Sequence, residues 1–198
     1  MTAERRARMM EETRVRLIRA ARTAFAEKGY AAASMDELTA TAGLTRGALY
    51  HNFGDKKGLL RAVIEQLDAE MVAKARLVRD RAATPWLGFL EEGVAYIELA
   101  LDPEIQRIML LDGPAVLGDP SQWPGQNACL CATTQTLQAL IDMGTVQPVE
   151  AEAAARLING AALNAALWVA AADDPRAVLA KAVETFRCLA SGLLKTEH

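Results

Sequence analysis

The sequence predicts an all-α protein of about nine helices: an N-terminal three-helix unit followed by a larger helical body. Three observations lead there. Apolar residues recur at three- and four-residue steps along nearly the whole chain, as in Val15, Ile18, Ala21 and Phe25. No stretch alternates as a half-buried strand would, and no repeat is present. Capping and breaking residues bound the periodic segments: Ser34, Thr45 and Asp55 stand where helices start, and Gly29, Gly43 and Gly144 where they end.

Taken in order, helix one spans roughly 17 residues of periodic sequence and stops at Gly29. The arm before it, with Arg5, Arg6, Arg8, Met9 and Met10, reads as disordered in solvent. Ser34 caps helix two, with Met35, Leu38 and Ala42 on its inner side and Gly43 at its end. Thr45 opens helix three. Asp55 caps a long fourth helix, about 56–81, whose inner positions are Leu59, Leu60, Val63, Ile64, Leu67 and Met71. Thr84-Pro85, Asp102-Pro103 and Asp174-Pro175 each pair a capping residue with proline at the first helical position, and Pro148 follows Gln147 in a similar role. These set helices at about 85–101, 103–111, 148–171 and 175–194. Another covers about 124–143, and residues 112–126 form the one long loop.

The net charge of -3 hides an asymmetry. Residues 1–62 hold 12 Lys+Arg against 7 Asp+Glu, whereas residues 63–198 hold 10 against 18. A basic first third on an acidic body points to a polyanionic partner for that third alone. The charged N-terminus lacks the apolar segment of a secretory signal, and no apolar run reaches the ~18 residues of a membrane span. The expected location is the cytoplasm, with no membrane partner. Cys129, Cys131 and Cys188 are no disulfide framework and read as buried free thiols. The two histidines, His51 and His198, lie far apart, so neither a zinc site nor any other metal or cofactor is expected. No nucleophile–base pair is apparent, and the chain is not expected to be an enzyme.

Helices two and three, joined by Ala42-Gly43-Leu44-Thr45, have the spacing of a helix-turn-helix over about residues 34–53, whose second helix enters the DNA major groove. Steps of about 100° place Thr45, Ala48, Leu49 and Asn52 on one side of helix three, with Leu44 and Phe53 as flanking apolar anchors. Arg46, Gly47, Tyr50 and His51 share the other side. Arg46 can donate to a guanine edge or a phosphate. Gly47 lets the backbone approach DNA, at a cost of about 1 kcal/mol of helix propensity. Tyr50 and His51 can donate to phosphate oxygens. Ser34 and Thr45 offer hydroxyls and helix-start amides to phosphate, and Lys56 can reach another.

RLIRAARTAFAEKGY, SMDELTATAGLTRGALYHNF and GDKKGLLRAV together make residues from about Thr13 to Leu67 resemble the DNA-binding domain of the TetR family of bacterial transcriptional regulators. The family's phosphate-contacting lysine matches Lys56. Asn52 stands where the family often has histidine, and Lys57 where it often has an acidic residue. The resemblance implies a DNA-binding domain at 1–62 and a ligand-binding and dimerisation domain at 63–198. It implies a homodimer on a pseudo-palindromic double-stranded operator, most simply a repressor released when a small effector binds the body and shifts the long fourth helix.

The body offers two readings of its own. Residues 151–172 contain eleven alanines, and the last helix carries a steady apolar stripe through Leu179, Val183, Phe186 and Leu189, so both helices, about 148–171 and 175–194, are expected to form the dimer interface. Candidate effector contacts are Trp86, Phe89, Tyr96, Met109, Trp123, Asn164 and Trp168, which suggest a neutral, hydrophobic small molecule. The alternative is a constitutive DNA-binding regulator with a filled body and no effector.

Overall fold

The computed structural model describes residues 3–195, which leaves His198 outside the described residues. Among these the chain is helical, and its one β-type pairing is an isolated antiparallel bridge between Val146 and Leu194. The α-helices are α1 (Ala3–Lys28), α2 (Met35–Ala42), α3 (Arg46–Phe53), α4 (Lys56–Arg79), α5 (Pro85–Glu98), α6 (Pro103–Ile105), α7 (Gly113–Leu117), α8 (Pro124–Asp142), α9 (Ala151–Ala170) and α10 (Pro175–Ser191). They form two compact units, residues 3–67 with 107–118 and residues 68–106 with 119–195.

In the first unit α1 packs on α2 and α3. Its core is Leu17, Ile18, Ala21 and Phe25 of α1, Leu38 and Ala42 of α2, Leu49 of α3 and Leu59, Leu60, Val63 and Leu67 of α4. Val15, expected on the inner face of α1, is 55% exposed, and Leu17 is buried instead. The N-terminal arm is not disordered, because α1 already begins at Ala3. No proline or glycine interrupts it, and an i,i+4 pair from Arg8 to Glu12 supports its first turns. The segment 107–118 completes this unit: the Tyr30 N–H donates to Asp112 at 2.7 Å, and Arg107 donates to the Lys28 carbonyl at 3.3 Å.

In the second unit α9 packs against α5, α8 and α10. Arg187 of α10 grips both carboxylate oxygens of Glu91 on α5. Several expected boundaries move, and the helix expected over about 103–111 is α-helical only to Ile105. The helix expected from about 148 starts at Ala151, because the Glu150 carboxylate accepts the Glu152 and Ala153 N–H groups, while Gln147 is held extended by donating to the Leu193 carbonyl at 2.9 Å. That same pairing stops α10 at Ser191 instead of 194. The expected long loop, 112–126, contains α7 and a 3₁₀ turn, Pro120–Gln122, capped by Asp119.

The run after α6 is a π-helical turn, Gln106–Asp112. α9 is long and apolar enough by composition to cross a membrane, contrary to the expectation that no such segment exists, but here it is packed among three other helices. Cys131 and Cys188 are exposed and Cys129 is partly buried, so the expectation of three buried thiols fails.

Candidate functional site

Two caps fix the ends of the helix-turn-helix. The Ser34 hydroxyl accepts the Glu37 N–H at 3.1 Å, and the Thr45 hydroxyl accepts the Ala48 N–H at 3.2 Å. Each hydroxyl keeps its own proton, which can still be donated outward. Gly43 closes α2 in the left-handed region at φ 60. Behind this turn, Arg16 donates to the Ala42 carbonyl at 2.5 Å, and the Arg14 guanidinium lies 5.0 Å from the centre of the Phe53 ring. Both α1 arginines therefore brace the motif from its inner side.

α3 has the two faces expected from its sequence. Leu49 is fully buried, and Ala48, Asn52 and Phe53 are partly buried. Arg46, Gly47, Tyr50 and His51 are all exposed, Tyr50 by 53%. Asn52 donates from Nδ2 to the Ala48 carbonyl at 2.7 Å, which ties it to its own helix. Thr45, expected on the inner side, is exposed because a capping residue stands outside the helix it starts. A β-carbon on Gly47 would meet nothing nearer than the Thr45 hydroxyl at 3.7 Å, so the fold itself does not demand glycine there.

Two of the expected contact residues are already engaged. Arg46 forms a two-pronged ion pair with Asp36 of α2, donating from Nε and Nη2 to the two carboxylate oxygens. Hydrogen bonding from Arg46 holds the Asp36 carboxyl below its ordinary range, and the same bonds raise Arg46. The Lys56 ammonium lies over the Tyr30 ring and donates to the Ala31 carbonyl at 3.4 Å. Burial lowers its pKa, opposed by the nearby Asp112 charge. Asp36, Arg14 and Arg16 were not among the expected functional residues. Gly58 was missed too: its β-carbon would lie 2.0 Å from the Phe53 carbonyl oxygen, so glycine is what lets α4 start against the end of α3.

The expected effector residues do not form one cluster. Trp86 and Phe89 pack together in the second unit's core, with ring centres 5.6 Å apart. Met109 is buried in the first unit. Asn164 and Trp168 lie on the exposed side of α9 in line with Leu157 and Gly160. Tyr96 sits in a polar neighbourhood: Gln126 hydrogen-bonds to its deeply buried hydroxyl, and burial, with the Asp68 and Cys129 charges behind it, raises its pKa.

Asp68 is drawn close to the first turn of α8, where a β-carbon on Gly125 would stand 1.8 Å from its Oδ2. Among the described residues no hydrogen bond or ion pair reaches the Asp68 carboxylate, and burial raises its pKa. Trp123, at the start of the same turn, has a buried Nε1 without an acceptor. Beyond Cys129, Asn159 donates to its sulfur at 3.7 Å and accepts from Thr133 at 3.1 Å. Separately, a groove of about 660 Å³ opens beside Arg76, Arg79, Thr84, Gly88, Thr136 and Met143, and none of the expected effector residues lines it.

The profile described as "Bacterial regulatory proteins, tetR family" matches residues 17–63, and the one described as "Tetracyclin repressor-like, C-terminal domain" matches residues 86–193. A solved structure of a TetR-family transcriptional regulator from Pectobacterium atrosepticum is 46% identical, covers 100% of both chains and superposes with a TM-score of 0.89. The transcriptional repressor AcnR of Corynebacterium glutamicum is 32% identical over 101 residues, which cover 50% of this chain and 52% of that protein. The chain spans between about a third and a half of the curated relatives it matches. The complex of SmeT, a Stenotrophomonas maltophilia protein, with triclosan shares the fold at 23% identity, with a TM-score of 0.68 over 92% of each chain.

Proposed function

Because this chain belongs to the TetR family of bacterial transcriptional regulators, we propose that it is a ligand-responsive repressor acting in the cytoplasm. A homodimer binds a pseudo-palindromic operator and is released by a small molecule. The observation that carries the DNA-reading half is the exposed face of α3, where Arg46, Gly47, Tyr50 and His51 stand together over a fully buried Leu49. In this reading residues 1–62 bind DNA. Arg46 reaches a base edge or phosphate, Gly47 allows close approach, and Tyr50, His51, Ser34, Thr45 and Lys56 position the helix on the backbone. The related AcnR is itself a repressor, which favours repression over activation.

Residues 63–198 bind the effector and dimerise. The exposed stripe Leu157, Gly160, Asn164 and Trp168 on α9 and the exposed Leu189 on α10 support a second copy packing on these helices, since Leu157 is 75% exposed and Leu189 60%. Two α3 helices of such a dimer must stand about 34–36 Å apart, or a multiple of that, to enter successive major grooves. α4 contributes residues to both units, so an effector held near Asp68 and Tyr96 acts on the same helix that starts at Lys56. It must favour the DNA-incompetent state, by a typical coupling of about 1–3 kcal/mol. The half-buried Asp68 carboxyl and the buried Trp123 Nε1 suit an effector that is mostly apolar but carries a hydrogen-bonding group.

The test is binding to DNA from immediately upstream of the protein's own coding region. Arg46→Ala and Tyr50→Phe should each weaken it. If neither changes affinity or salt dependence, α3 is not the reading helix.

A further inference from the structure

An acidic side chain on a surface that meets phosphate needs a reason. Asp36 lies in the first turn of α2 and is 67% exposed, and its partner Arg46, 59% exposed, is the first residue of α3. A pair this exposed does little for stability, and its negative charge opposes DNA. The neighbouring acid is engaged elsewhere, since Glu37 pairs with Lys28 at 3.2 Å. Asp36 is thus aimed at Arg46 alone, and the Ser34 and Thr45 caps fix the starts of both helices.

The atoms used decide what remains. Asp36 takes one proton from Nε and one from Nη2. The guanidinium has five N–H donors in a planar fork, so both Nη1 protons and one Nη2 proton stay free. That free edge is the arrangement that donates twice to the O6 and N7 of guanine. We propose that Asp36 is a positioning residue for sequence readout: it holds Arg46 by one edge so that the opposite edge meets a guanine, and it cancels the charge that would otherwise draw Arg46 to any phosphate. The proposal rests on α3 being the reading helix.

The experiment starts from duplexes selected by the wild-type protein out of a random pool. Affinity is then measured on the selected site and on a panel in which each G·C pair is replaced in turn, at several salt concentrations. Arg46→Ala should lose discrimination at one G·C pair per half-site. Asp36→Asn and Asp36→Ala should lose about tenfold or more at that same pair and leave the others unchanged, because an unheld arginine no longer favours one acceptor. Both should also bind with a steeper salt dependence, by about one counterion, since the charge of Arg46 is no longer cancelled. The double variant D36N/R46A should discriminate no worse than R46A.

If the Asp36 variants discriminate as wild type does while R46A does not, Arg46 reads unaided and the proposal is overturned. An even loss across all positions would mean that Asp36 only supports the fold of α2, and it would overturn the proposal equally. A wild-type protein that selects no sequence from the pool would instead overturn the DNA-reading function on which this rests.

Discussion

The Lys56 ammonium stands 4.4 Å from the centre of the Tyr30 ring, so the first residue of α4 is held over the end of α1. The ring face attracts the cation, and the Ala31 carbonyl accepts one of its protons. Burial of the lysine disfavours its charged form, and the nearby Asp112 charge opposes this only in part. If Lys56 contacts phosphate, as proposed, it does so from this preset position.

Lys56→Gln is therefore expected to have two separable effects. Loss of the ring contact should destabilise the first unit by about 0.5–1 kcal/mol. Loss of the charge should weaken binding equally to all DNA sequences and lower the salt slope by about one. Tyr30→Leu should reproduce the first effect and leave the salt slope alone. Urea unfolding and salt titrations of binding read the two independently.

Two glycines only eleven residues apart should respond in opposite ways. Gly47→Ala adds a methyl to open space and should stabilise the protein by a few tenths to about 1 kcal/mol through helix propensity, while weakening operator binding. Gly58→Ala drives a methyl into the Phe53 carbonyl and should cost about 1–3 kcal/mol. Equal affinity of Gly47→Ala and wild type for the operator would remove the close-approach role of that position.

Leu157→Glu combined with Leu189→Glu should leave the fold of one chain intact, since both side chains project outward. If α9 and α10 form the dimer seam, two charges buried there should weaken dimerisation by at least about 2 kcal/mol. Sedimentation equilibrium checks it, with circular dichroism as the control. Unchanged association would move the interface elsewhere.

Asp68→Asn should raise the melting temperature at neutral pH. The folded-state pKa of Asp68 is raised by burial, so folding binds the proton more tightly than the unfolded chain does. Stability from this group is greatest below the ordinary carboxylate value of 3.8 and falls as pH climbs through the raised value. The variant's advantage should therefore shrink on acidification toward about pH 4. An advantage independent of pH would mean that the amide gains a new contact, not that a charge was removed.

Local chemistry alone determined much of this protein. The caps Ser34, Thr45, Asp102 and Asp174, the stop at Gly43 and the two faces of α3 were legible because each depends on residues within one helical turn, where propensity and hydrogen-bond geometry act directly. What remained hidden depends on residues far apart in the chain. Arg46 reads as a free base-contacting cation until α2 folds beside it and supplies Asp36. Trp168 and Met109 read as pocket residues until packing turns one outward and puts the other in a different unit. Asp68 carries no signal in its own neighbourhood, because its burial and its closeness to Gly125 arise only when α8 closes over it. Periodicity says which side of a helix is apolar, but only tertiary packing sets which partner that side meets, because long-range contacts are chosen by the shape and charge of several elements at once.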